Sequence, residues 1–138
     1  MNKWNFIFLV CLEMISVGDL ALATTTLEDI RLEVNFGDKR TEVRTWQDSN
    51  NFKFTYHQGR DLLREGELEK KDFDYFIALA TDVKKKGSKP VAGCPRRFAK
   101  LTFVENSKDQ VVTSCLHSKL PVGKAFEKLM AASALLIH

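Results

Sequence analysis

The sequence predicts an α+β domain: an antiparallel sheet of about five or six strands, two helices packed on one face, and one disulfide. Three observations lead there. Runs of alternating apolar and polar residues succeed one another across short polar breaks, the pattern of strands joined in hairpins. Two further stretches carry apolar residues at helical spacing, each placed after a set of strand-like runs. Two cysteines remain once an N-terminal leader is set aside.

The chain has 138 residues, 44% hydrophobic and 28% charged, with seven Gly and three Pro. That composition excludes collagen-like, low-complexity and wholly disordered chains and suits one domain. Lys3 precedes an apolar stretch from Trp4 to Val17, and Ala21-Leu22-Ala23 offers small residues to a signal peptidase. The expected cut falls between Ala23 and Thr24, giving a leader over 1–23 and a single exported domain over 24–138. A retained anchor is the alternative, but Glu13 and Gly18-Asp19 interrupt the run, and a spanning helix needs about 20 continuous apolar residues. Cys11 follows Val10 and too short an apolar run for a lipoprotein site, so it is read as part of the leader. Removing Lys3, Glu13 and Asp19 from 21 basic and 18 acidic residues leaves 20 and 16, a net charge of +4.

Ile30, Leu32, Val34 and Phe36 alternate with polar residues, as a strand with one wet face does. Thr41 to Trp46 suits a second strand. A two-residue turn at Gly37-Asp38 would oppose Glu33 to Glu42 and Arg31 to Arg44. A four-residue turn through Arg40 opposes Glu33 to Arg44 and is preferred, because like charges directly opposed are destabilising. Phe52, Phe54 and Tyr56 mark a third strand, and Leu62 to Glu65 a short fourth that Gly66 should limit. From Glu69 to Lys86, Phe73, Phe76, Ile77, Ala80 and Val83 form one helix face, with Gly87 as the stop. Phe98 to Val104 and Val111 to Leu116 form a second hairpin, with Glu105 expected opposite Gln110 and Ala99, Leu101 and Phe103 facing the core. Pro121 suits the first turn of a final helix, with Ser118 as a cap. Val122, Ala125, Phe126, Leu129, Ser133, Leu136 and Ile137 make its main face. Its second half has so little polar surface that it must pack across the sheet or meet a partner.

In an exported chain, Cys94 and Cys115 are expected to pair. The alternative, Cys115 and His117 as metal ligands or as a nucleophile and its base, lacks the third and fourth ligands that metal sites need. Over most of the mature chain the order of elements resembles that of the emfourins, small secreted inhibitors of thermolysin-type metallopeptidases with short antiparallel strands and two helices. The resemblance implies inhibition. It lies in that order rather than in a residue motif, and the cysteine pair stands outside it.

The strongest local bias is Lys84, Lys85, Lys86, Lys89, Arg96, Arg97 and Lys100, seven cations with no acidic residue between Asp82 and Glu105. Gathered in space they would bind an anionic polymer or lipid, or an acidic protein face. Nucleic acid fits the charge but not the compartment. The acidic stretch Asp61, Glu65, Glu67, Glu69, Asp72 and Asp74 is interleaved with cations and lacks calcium-loop spacing, which makes it a solvated face. His57, His117 and His138 are too scattered for a triad or a metal cluster, and no phosphate loop, nucleophile elbow or dinucleotide fingerprint occurs. Trp46 is the aromatic residue to follow, since either hairpin register sets it across from the Leu32 and Val34 face.

The expectation is a secreted or periplasmic binding domain without catalysis or a cofactor, docking on an envelope or extracellular protein as an inhibitor or immunity-type partner does. Two alternatives stand beside it: a small periplasmic enzyme, and an envelope protein that holds anionic polymer or lipid through the basic cluster.

Overall fold

Six strands follow from four short turns, and each turn begins with a residue in the left-handed backbone region: Gly37, Ser49, Gly59 and Asn106, at φ between 53° and 65°. The computed structural model describes residues 29–137. The expected leader lies outside them, as does the side chain of Ile137. The strands are β1 (Asp29–Phe36), β2 (Lys39–Asp48), β3 (Asn51–Gln58), β4 (Asp61–Leu68), β5 (Arg97–Glu105) and β6 (Lys108–Cys115). They form one antiparallel sheet in the order β4-β3-β2-β1-β5-β6. The helices are α1 (Lys70–Lys86) and α2 (Pro121–Ile137). The predicted α+β class with a disulfide therefore holds.

Both expected hairpin registers are corrected by two residues. Glu33 opposes Glu42 and Arg31 opposes Arg44 across a two-residue turn, and Glu105 opposes Lys108 rather than Gln110. The like charges are neutralised diagonally instead of by slipping the strands. Arg40 Nη2 lies 3.0 Å from Glu33 and 3.6 Å from Glu42, and Arg44 makes a two-pronged contact with Asp29 at 3.1 and 2.7 Å. Tight turns with left-handed residues match the right-handed twist of the strands, and that backbone preference outweighs exposed charge pairing. A slip of two preserves side-chain parity, so the core face is the one expected.

That face carries Ile30 and Leu32 of β1, Val43 and Thr45 of β2, Phe54 of β3, Ala99, Leu101 and Phe103 of β5, and Val112 and Ser114 of β6, all buried. The helices lie on it. Phe73, Phe76, Ala80 and Val83 of α1 and Val122, Ala125, Phe126 and Leu129 of α2 complete the core. Helix α1 crosses the sheet from the β3 side, where Phe73 packs on Phe52 with ring centroids 4.6 Å apart, to the β5 side, where Lys84 pairs with Glu105. It stops at Gly87, whose N–H donates to Val83 O. Ser118 accepts from the Leu120 N–H at 3.2 Å, one residue ahead of the helix it was expected to cap.

Gly66 does not limit β4, which runs on to Leu68. A Cβ at Gly66 would lie 3.0 Å from the Phe54 ring, so the ring of the directly opposed residue covers the missing side chain. An aromatic ring laid over a strand glycine restores the packing that the glycine lacks.

The β6 edge of the sheet is crosslinked and covered. Cys94 and Cys115 are joined, with Cα atoms 5.8 Å apart, and the loop that carries Cys94 lies along the outer edge of β6. There the Lys89 N–H donates to Thr113 O at 2.9 Å, the Thr113 N–H donates to Ser88 Oγ at 3.1 Å, and Thr113 Oγ1 donates to Lys89 O.

Candidate protein-binding face

The face of the sheet away from the helices is read directly from the registers. One row across it is Glu67, Lys53, Trp46, Asp29, Val104 and Asp109; the next is Glu65, Thr55, Arg44, Arg31, Thr102 and Val111; a third is Leu62, His57, Glu42, Glu33, Lys100 and Thr113. Both signs of charge are interspersed on this surface, with Arg31 beside Arg44 and Glu33 beside Glu42, and they form no single field. Trp46 is half-buried there, on the expected side, with the Arg44 guanidinium 4.8 Å above its ring. The hydrogen bonds from Arg44 to Asp29 raise its guanidinium above the ordinary value, against the opposing effect of burial. Hydrogen bonding to Asp48 raises the Lys53 ammonium, and the charge of Glu67 adds to it.

At the β4 side Trp46, Lys53, Thr55, Glu65 and Glu67, with Phe54 and Gly66, line an open depression of 310 Å³. Beyond it β4 ends the sheet, and among the described residues only β3 pairs with it. Every residue of β4 except Gly66 and Leu68 is exposed, including Leu62 at 48% and Leu63 at 54%. A shift in register between Tyr56 and His57 lets Leu62 oppose His57 while Arg64 opposes Tyr56, which places the bulge at Leu63.

The seven cations are not gathered at one place, although Arg96 and Arg97 lie together at the start of β5 and Lys89 bonds to Thr113, the residue opposed to Lys100. Lys84 binds Glu105 and sits 5.5 Å from the Phe103 ring, at the far end of β5. Arg97 starts that strand with its guanidinium 4.7 Å from the Phe36 ring, roughly 25 Å away at the rise of an extended strand. Arg96 pairs with Asp38 at 3.1 Å, Lys86 lies 3.8 Å from Asp82, and Lys100 opposes Glu33. Lys85 and Lys89 are exposed, on the last turn of α1 and on the loop beside β6.

His57 lies on β3 and His117 follows β6, four strand spacings or about 19 Å apart across the sheet. Among the described residues no group of three His, Cys, Asp or Glu side chains is gathered as a metal set. The hollow beside Cys115 and His117 measures 20 Å³, below the size of ligand clefts. The acidic stretch is laced with cations as expected: Lys70 pairs with Asp74 at 2.6 Å and Lys71 with Glu69 at 3.3 Å.

Sequence reasoning missed the edge. Its signal was Leu62-Leu63, because adjacent leucines in a strand point to opposite faces and at least one must leave the core. The chain matches no protein-family model, and no curated protein matches it in sequence.

Proposed function

We propose that this protein is an exported, disulfide-stapled domain that binds another protein without catalysis, in the manner of an inhibitor or an immunity-type partner. The observation that carries this reading is the unequal sheet, in which one side is crosslinked and capped while β4 is left as an exposed edge bearing Leu62 and Leu63. A binding surface needs rigid support and contiguous exposure, whereas an enzyme needs a concave pocket with converging titratable groups. His57 lies on β3 and His117 follows β6, and the 310 Å³ hollow beside β4 is an open one. Export is supported by the disulfide, since thiols stay reduced in the cytosol. Among the described residues no helix is long and apolar enough to cross a membrane.

A photocrosslinking side chain at Leu63, used in the cells that make the protein, tests this reading. The expected result is one discrete protein adduct from Leu63 and none from the same probe at Lys108 at the start of β6. No adduct, or the same adducts from both positions, would contradict it.

A further inference from the structure

We propose that β4 takes an extended segment of the partner protein as a seventh strand, and that this segment carries Lys or Arg at alternate positions. The inference rests on the protein-binding reading above and adds the mode and the chemistry of recognition.

The backbone comes first. A terminal strand turns half its N–H and C=O groups outward, and an added strand satisfies them. At the other edge of the sheet Ser88 and Lys89 already occupy that position against β6. Nothing among the described residues does so for β4. The bulge lies at the Leu63 end, so Arg64 to Leu68 pair with β3 in unbroken register and offer a regular template.

The charge of β4 then selects the occupant. Asp61, Glu65 and Glu67 outnumber Arg64. A second copy of the chain is disfavoured: antiparallel self-pairing centred on Arg64, Glu65 or Gly66 opposes Arg64 to Arg64, Glu65 to Glu65, or Glu65 to Glu67. A basic strand meets no such repulsion. Glu65 and Glu67 share the helix-free face with Trp46, around the 310 Å³ depression. A cation projecting from the added strand would meet the Glu65 and Glu67 carboxylates, while Lys53 beside them is held by Asp48 at 2.9 Å.

The test uses the oxidised protein, amide NMR and synthetic octapeptides of alternating Lys and Val, with a Glu-Val counterpart and a Lys-Val peptide N-methylated at alternate residues. The Lys-Val peptide is expected to shift the amides of Arg64 to Leu68. The N-methylated peptide should bind at least roughly tenfold more weakly through loss of its donors. The Glu-Val peptide should bind only the Glu65→Lys/Glu67→Lys variant. Unmoved β4 amides, or equal binding of the N-methylated peptide, would overturn strand addition. If β4 is unmoved while the Leu63 adduct persists, strand addition falls and protein binding stands; if the adduct is absent too, both fall.

Discussion

The two edges of this sheet are finished in opposite ways. Outside β6, Ser88 and Lys89 bond to Thr113 and the same loop is anchored through Cys94 to Cys115. Outside β4 no described segment lies, and defence against aggregation is left to charge and a bulge. Rigidity is placed at one edge: the crosslink and the covering loop act at β6, and β4, which contributes no residue to the core cluster, is exposed at little cost to it.

The sharpest way to probe that contrast is to truncate one leucine from each side. Leu101→Ala, at a fully buried position, should lower stability by about 3 to 4 kcal/mol through lost burial and a cavity. Leu63→Ala, half-exposed on β4, should stay within about 0.5 kcal/mol. Chemical denaturation of both variants measures this, and equal losses would erase the contrast. Reduction of Cys94–Cys115 should cost about 3 kcal/mol, since it frees a loop with a sequence separation of 21. Its thermal melt should fall at a reductant level that leaves an uncrosslinked control unchanged.

A smaller effect has the opposite sign. Thr45 is fully buried, and its Oγ1 has no hydrogen-bond partner among the described residues. Thr45→Val keeps the shape and removes the unsatisfied hydroxyl, so stability should rise by about 1 kcal/mol in the same denaturation assay. Smallest is Ser88→Ala, which removes the hydroxyl that Thr113 N–H donates to. A loss of about 0.5 kcal/mol is expected, with faster exchange of the Thr113 amide as its local sign.

Much of the fold was legible because side-chain parity survives an error of two residues. Ile30 and Leu32 face inward in either register, and so do Leu101 and Phe103. What stayed hidden depended on contacts outside a single strand pair. Glu33 could oppose Glu42 only because Arg40 reaches both, a diagonal contact that pairwise charge matching does not see. Gly66 read as a strand end because the Phe54 ring that covers it belongs to a neighbouring strand. The basic run shows the same limit at the level of a site. Lys84 and Arg97 are 13 residues apart in sequence (97 − 84), yet α1 and β5 carry them to opposite ends of the sheet, beside Glu105 and Phe36.

Native-state hydrogen exchange on the oxidised protein tests the unequal sheet most directly. Amides of β1 and β5, together with the Thr113 amide at the covered edge, should open only with global unfolding, while the outward amides of β4 exchange at least about a hundredfold faster. Protection of β4 equal to that of β5 would contradict it.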